Sequence, residues 1–506
     1  MSMLDRHGQI NGPSTLGGLA REAVFFGPLA GSQIVSCLGL AALGLVDGVM
    51  LAQHSAGQLA VHGLADAMAG RGLDIGLAVV MASMTLAPVA ATAKRGDDPR
   101  ELGRLWHQAL LLALLLGAAG ILLGALTPLL LALFATPAAL ANAAEPVITT
   151  LSLGLLPALL AVACAGLLQA TGRASTVLLA VVGANVLNLA LNLHLIDGPS
   201  GAAAGVAVAT TAVRWMLALG LLVRCWCLPE QARYGLRRQF GSRQWQAGAA
   251  QRKLGRRLAS QAAARALLPA GLVLMASWQT PTALASLTAL GLVMAPCLAL
   301  SSGLAATARQ RVAQVLADAR HRPGSVTRCG ARCTALAGLA AALFFAAYSA
   351  SASTLVNAVL RDPDWIGQVL PLLPLALTVA ALDGLAMLGA ALLQGLGEHR
   401  RVAKLQWLCV VPAVVLAWWL SVVLGGGIAN LLGAMGLAAA AQALAFGRLY
   451  RGRAHLLDAS AAQAMTAHAN AIAHGFADTV MLWPSQGYGD ASTERNLHHG
   501  GRMRPR

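Results

Sequence analysis

Asp47 stands in the run Leu45-Val46-Asp47-Gly48-Val49, with no basic residue within a helical turn. Apolar surroundings favour the neutral form of a carboxyl group, so such an acid can take up and release a proton. An ionisable side chain in hydrocarbon costs roughly 2–3 kcal/mol or more, and one kept there is a candidate for ion movement. The competing reading is a hydrated acid near the outer end of its segment. Asn185, Asn188 and Asn192 follow in a later apolar run. Asn188 and Asn192 are four apart and share a helix face. Their carboxamide oxygens can ligate a hard cation or hydrogen-bond a protonated acid, and they can equally hold two helices together. Thr210, with Thr211 beside it, lies a third of the way along the next run. Asp383, in Leu382-Asp383-Gly384-Leu385, is a second acid deep in an apolar stretch. It can relay a proton, meet a cationic substrate, or pair locally.

A third group is out of place in its own run. His62, Asp66, Arg71 and Asp74 interrupt an otherwise apolar segment. The spacings of four and three put His62 with Asp66, and Arg71 with Asp74, on shared helix faces. They either neutralise one another or line a cavity that selects a polar or anionic substrate. Arg214, next to Trp215, raises the same question, and Arg71 and Arg214 read as the cations within the apolar runs. Gln33, Gln279, Trp278 and Trp418 are further candidates for a cavity wall, although tryptophan at a lipid interface is commoner.

The elements that must position these groups follow from composition. Of 506 residues, 57% are hydrophobic and 11% charged. A soluble domain needs roughly 25% charged residues to cover its surface, so most of this surface faces lipid. The apolar runs are long and unbroken, which argues against a transmembrane barrel and for helices of about 20 residues each. Twelve runs qualify, near 25–53, 61–93, 105–127, 145–171, 174–196, 202–226, 262–279, 283–308, 331–351, 366–396, 402–424 and 428–447. Basic residues crowd alternate connections, such as Lys94, Arg95, Arg100 and Arg104, whereas the intervening connections hold Arg361 alone. That alternation places both termini in the cytoplasm. The net charge of +16 is therefore an orientation signal, with no role for nucleic acid. The eight cysteines show no CxxC and no paired metal spacing, and read as small apolar fillers without disulfides.

The two halves run in parallel. Leu167-Leu168-Gln169-Ala170-Thr171-Gly172-Arg173 ends the fourth run, and Leu392-Leu393-Gln394-Gly395-Leu396-Gly397-Glu398 ends the tenth. Phe26-Gly27-Pro28-Leu29-Ala30-Gly31 opens the first, and Leu267-Leu268-Pro269-Ala270-Gly271 the seventh. With six spans per half, both halves start on the same side, which makes a parallel repeat about an axis normal to the membrane. The resulting fold class is an all-α integral membrane protein of twelve helices in two six-helix bundles. The division is a cytoplasmic segment 1–20, a bundle 21–227, a basic cytoplasmic linker 228–258, a bundle 259–450, and a flexible cytoplasmic tail 451–506 with room for a short helix over 458–474.

At these landmarks the sequence resembles the multidrug and toxic compound extrusion (MATE) family. The resemblance rests on Leu45-Val46-Asp47-Gly48-Val49-Met50-Leu51, on the exit Lys94-Arg95-Gly96-Asp97-Asp98 and on Gly201-Ala202-Ala203-Ala204-Gly205, in that order, and covers about residues 20–450. The wider superfamily includes polysaccharide exporters and lipid-linked precursor flippases. The resemblance implies two bundles around a V-shaped cavity, rocking so that substrate leaves as protons or sodium ions enter. It puts Asp47, Asn188, Asn192 and Thr210 at a cation site of the first bundle. Asn192 stands where some archaeal-type members have an acid, which weakens a sodium site and leaves a proton site intact. Asp383 matches an acid of the second bundle, and Ser277 stands where that acid's frequent glutamate partner would be.

The implied function is ion-coupled export of a small organic molecule, with the proton favoured over sodium, by a monomer among lipids in the bacterial inner membrane. The alternative is a flippase for a lipid-linked sugar or other amphiphile. A transferase would need a catalytic cluster in a loop, and the outer loops offer none; without GxxxxGKS/T there is no ATP site. The chain reads as no enzyme, with no cofactor beyond the coupling ion.

Overall fold

The computed structural model describes residues 15–84, 100–199, 201–236, 246, 248–317 and 324–480. With no water in the hydrocarbon core, every backbone N–H and C=O must be satisfied within its own segment, and the apolar runs fold as helices for that reason. Twelve long ones form among the described residues. They are α1 (Thr15–His54), α2 (Ala56–Ala65, a π turn Asp66–Gly70 and Arg71–Met84 run together), α3 (Glu101–Ala125), α4 (Ala138–Ala170), α5 (Ala174–Leu195) and α6 (Ala202–Trp226). The second set is α7 (Ala249–Ser277), α8 (Pro281–Ala317), α9 (Ser325–Val359), α10 (Pro363–Gly395), α11 (His399–Val423) and α12 (Ile428–Val480). Ten are long and apolar enough to cross a membrane, and α1, bent by 40° between Gly17–Gly39 and Ala41–His54, makes an eleventh. The twelfth is α2, which the π turn Asp66–Gly70 divides into α-helical pieces of 10 and 14 residues.

The internal repeat is visible in which helices touch. In the first bundle α1 packs on α5, α2 on α3 and α4, α3 on α4, and α6 on α4 and α5. Adding six to every label gives the packing of the second bundle: α7 on α11, α8 on α9 and α10, α9 on α10, and α12 on α10 and α11. The bundles meet where α1 lies on α8 and α2 lies on α7 and α8. The repeat extends to single hydrogen bonds. Gly172 (φ 78°) and Gly397 (φ 80°) both take the left-handed conformation just past α4 and α10. Gly172 N donates to Gln169 O at 3.1 Å and Arg173 N to Leu168 O at 2.8 Å; the counterparts are Gly397 N to Gln394 O at 2.9 Å and Glu398 N to Leu393 O at 3.0 Å. Both turns are Schellman caps, which need a residue tolerant of positive φ.

The apolar core is asymmetric across the membrane. At the face whose connections are poor in basic residues, one continuous core joins Leu51, Leu59 and Leu64 of the first bundle to Leu284, Leu290 and Met294 of the second. Near the opposite, basic face the core divides. One cluster holds Leu102, Trp106, Leu167 and Leu221 of the first bundle. A separate one holds Leu304, Val312, Leu393 and Phe446 of the second, together with Phe26 and Ala30 of α1.

Two boundaries differ from the sequence expectation. The proposed linker is partly structured: Gln231–Tyr234 is a short helix and α7 starts at Ala249, because 249–258 is rich in Ala, Arg and Leu, which favour helix. The last span, expected at 428–447, continues as helix to Val480 and takes in the start of the tail expected to be flexible. No proline interrupts 448–480, and Ala is abundant there. Asp458, within that extension, accepts hydrogen bonds from Val326 N at 3.2 Å and Thr327 N at 3.0 Å, and so caps the start of α9. The stretch Lys94-Arg95-Gly96-Asp97-Asp98 lies outside the described residues.

Candidate functional site

Asp47 sits on α1, seven residues before its end at His54, or about 10 Å at 1.5 Å per residue. Its side chain is 2% exposed, so it is not a hydrated acid at the helix end. Asn188 Nδ2 donates to its Oδ1 at 2.6 Å and Asn192 Nδ2 to the same oxygen at 2.7 Å. Thr210 Oγ1 donates to Oδ2 at 2.6 Å and lies 3.4 Å from Asn188 Oδ1. The four residues expected to form one site therefore do meet, drawn from α1, α5 and α6. Asn188 and Asn192 are fully buried, one above the other on the face of α5 turned to α1. Their donors are neutral, so they solvate the carboxylate without cancelling its charge. Asn192 Oδ1 is buried without a hydrogen-bond partner. Turning that amide over exchanges donor for acceptor, so one residue can serve both the carboxylate and the carboxylic acid. Asn185, one turn away, is structural: its Nδ2 donates to Gly39 O at 3.1 Å, tying α5 to α1 beside the bend.

Arg214, one turn beyond Thr210 on α6, lies within electrostatic reach of both Asp47 and Asp66. Asp66 opens the π turn of α2, and Arg71 bridges it to Asp74, with Nη2 3.2 Å from Asp66 Oδ2 and Nη1 3.2 Å from Asp74 Oδ2. The π turn makes this bridge, since its i→i+5 spacing puts Arg71 over Asp66. Pairing of Asp66 with His62, which the spacing allowed, does not form: His62 Nδ1 is buried and unpartnered. Across the bundle interface Asp383 of α10 is half-buried, within electrostatic reach of Arg265 of α7; Arg265 also reaches Asp74.

Arg265 is the residue that sequence reading missed. It lies in the seventh run, on α7, whereas the sequence reading names only Arg71 and Arg214 as cations within the apolar runs. Its signal was present, a lone arginine in Gln261-Ala262-Ala263-Ala264-Arg265-Ala266, and its closeness to the basic linker disguised it. Three candidate wall residues are placed otherwise than expected or add little. Ser277 is buried and donates to Leu274 O of its own helix at 2.6 Å, a hydroxyl satisfied locally. Gln279 donates to Gly426 O at 3.1 Å, joining two connections at the end of the second bundle. Gln33 is half-buried on α1, away from Asp47 by fourteen positions. Trp278, beside Gln279, donates its Nε1–H to Phe134 O at 2.9 Å, from the second bundle to the first.

All eight cysteines are free thiols. Cys329 and Cys333, one turn apart on α9, bring their sulfurs to 3.9 Å, beside Glu22. Glu22 is already engaged by Arg311, whose charge opposes a metal cation at that point.

Twelve helices in two like bundles, with interior charges and a carboxylate buried among neutral donors, define the fold of a multi-pass membrane protein of the secondary-transporter kind. The comparisons sharpen this. The family model MatE matches residues 33–194, a stretch that contains Asp47, Asn188 and Asn192. A probable multidrug resistance protein NorM of Caulobacter vibrioides is 28% identical over 413 residues, covering 80% of this chain and 86% of its own. A protein of the same description from Synechocystis sp. is 28% identical over 200 residues, 39% of this chain and 42% of its own. Among solved structures, the eukaryotic MATE transporter AtDTX14 superposes with a TM-score of 0.70 at 15% identity, covering 88% of this chain and all of that one. An inward-facing multidrug resistance MATE transporter of the MOP superfamily gives 0.68 at 16% identity, covering 84% of this chain and 98% of that one. The chain is thus similar to MATE transporters, by a family model over residues 33–194 and by relatives at 28% identity.

Proposed function

We propose that this protein exports small organic molecules from the cytoplasm in exchange for protons, as a monomer in the bacterial inner membrane with both termini in the cytoplasm. The observation that carries the reading is Asp47, 2% exposed and held by three neutral donors from two other helices. Charged, the carboxylate ties α1 to α5 and α6. Protonated, it becomes a donor at one oxygen and a weaker acceptor at the other, and that tie loosens. The change reaches the second bundle along α1, whose Ala41–His54 stretch carries Asp47 and whose Gly17–Gly39 stretch carries Phe26 and Ala30 into the second bundle's core. A proton suits the site better than sodium, because one carboxylate supplies the only full negative charge among the four groups.

The buried apolar core is continuous at the face poor in basic residues and split at the basic face, which the charge distribution assigns to the cytoplasm; α2 and α7 still touch there, with Gly255 beside Val79 and Ala82. We read the split face as the side from which cargo enters. The test is flux in reconstituted vesicles with a proton or a sodium gradient imposed separately. Cargo movement against its gradient is expected with the proton gradient alone; movement with sodium alone would replace the proton by sodium.

A further inference from the structure

Between α5 and α6 the first bundle carries a groove of about 380 Å³, lined by Thr176, Ala184 and Leu187 of α5 and by Val213, Gly220 and Arg224 of α6. The side chains that flank it, Leu179, Val186, Met216 and Val223, are apolar and exposed, as on a wall that meets lipid. Small residues open the groove: a Cβ added to Gly220 would meet no atom within 4 Å. Thr176 and Leu187 are eleven positions apart, and so are Arg224 and Val213. That is about 16 Å of helix at ~1.5 Å per residue. The groove therefore has the depth of one leaflet, half of a hydrocarbon core about 30 Å thick.

Its two ends differ in chemistry. The inner end, at Ala184, Leu187 and Val213, is wholly apolar. The mouth holds Thr176, in the first turn of α5, and Arg224, in the last turn of α6. It opens at the basic face, which the charge distribution assigns to the cytoplasm. Trp226, two residues past Arg224 and exposed, marks the headgroup level there. The nearest acid in sequence, Glu230, is engaged by Arg173, so it leaves the charge of Arg224 standing. The start of α5 has no side-chain cap, and its leading amides add to the pull on an anion. A molecule that matches both ends has one long apolar tail and an anionic head. The cytoplasmic leaflet supplies such molecules in quantity. We propose that the groove is a binding site for an anionic phospholipid of that leaflet, with one acyl chain along Gly220 down to Val213 and the phosphate at Arg224 and Thr176. A zwitterionic phospholipid fits less well, because the mouth offers no acid to its ammonium group.

Native mass spectrometry of the purified full-length protein, stripped of lipid in detergent, tests this by titration with phosphatidylglycerol or phosphatidylcholine of identical acyl chains. The first phosphatidylglycerol is expected to be held about fivefold more tightly than the first phosphatidylcholine, the effect of one arginine at the membrane surface. Arg224→Gln should make the two lipids equal, and Arg224→Lys should keep most of the preference. Gly220→Phe places a ring in open space within the groove, and should weaken phosphatidylglycerol at least as much while leaving the melting temperature of the lipid-free protein unchanged. Should that variant fold poorly, the two Arg224 variants decide alone. Equal retention of both lipids by the unaltered protein, a preference that survives Arg224→Gln, or full binding by folded Gly220→Phe would overturn the proposal. So would displacement of the lipid by glycerol phosphate, a head without chains, or a dimer that Gly220→Phe disperses, which would make the occupant a second copy. Lipid retention in detergent needs no ion gradient, so its outcome is separate from that of coupled export.

Discussion

Glu22 near the start of α1 accepts a hydrogen bond from Arg311 Nε of α8 at 2.5 Å, so the helix that carries Asp47 into the first bundle is fastened at its other end to the second. The pair is largely buried, with side-chain exposures of 8% for Glu22 and 20% for Arg311, and the Arg311 guanidinium also lies 4.9 Å from the Phe25 ring centroid. Removing one member of such a pair strands the other charge, at a cost of about 3 kcal/mol. Arg311→Met should therefore lower the melting temperature of the detergent-solubilised protein clearly, and Glu22→Leu combined with Arg311→Met should recover most of the loss. If the double variant stays stable but exports poorly, the pair serves transmission along α1 more than stability.

The three donors to Asp47 are not equal. Among the described residues Thr210 is the sole donor to Oδ2, whereas Oδ1 has two. Thr210→Val keeps the shape and removes that bond, and export should fall about tenfold without being abolished, in line with the ~1.5–3 kcal/mol of a hydrogen bond to a charged group. Asn192→Ala leaves Asn188 on the same oxygen and should cost less. Initial rates of dye efflux, normalised to protein in the membrane, give the comparison.

Much of this was legible in the residues themselves. The count of spans, the repeat and the Asp47 cluster follow from apolar run length, matching turn sequences and intramembrane polar groups, all local or periodic signals. What was not legible depends on three-dimensional register. The π turn that lets Arg71 reach Asp66 shifts the helix by one residue, and no spacing rule for an α-helix shows it. The joining of Glu22 to Arg311, or of Trp278 to Phe134, links residues 289 and 144 apart in the chain. Ser277 could not be told from a cavity residue, because a serine that bonds back to its own helix has the same sequence as one that does not.

Gly303 fixes how closely the bundles approach. A Cβ added there would lie 2.7 Å from Ile34 Cα and 2.8 Å from Ile34 N, both backbone atoms that cannot turn aside. Gly303→Val should force α1 from α8, lower the melting temperature by several degrees, and slow export in the fraction that folds. Gly338, with no atom within 4 Å of a Cβ, is the control, and Gly338→Ala should be neutral.

The turns after α4 and α10 carry one clamp with its signs exchanged. Arg173 Nη2 donates to Glu230 Oε2 at 2.9 Å, whereas at the equivalent place Glu398 accepts from Arg453. Arg173 holds the exposed Glu230 carboxyl below its ordinary range, so the clamp's small contribution is full at neutral pH and fades as pH falls through that lowered value. Glu230→Gln should flatten the acid side of the stability profile slightly. In the other clamp Glu398→Arg should destabilise more, since Glu398 is 18% exposed, and adding Arg453→Glu should restore stability. Melting curves from about pH 2 to pH 8, a range that extends below the ordinary carboxyl titration near pH 4, decide both.

The most direct measurement is substrate-driven proton movement in vesicles containing Asp47→Asn, with folding verified by gel filtration and helical content. The account predicts that adding cargo moves no protons and that an imposed proton gradient moves no cargo, in protein that inserts and folds normally. Proton and cargo fluxes at the rate of the unaltered protein would contradict it, and would take Asp47 out of the coupling.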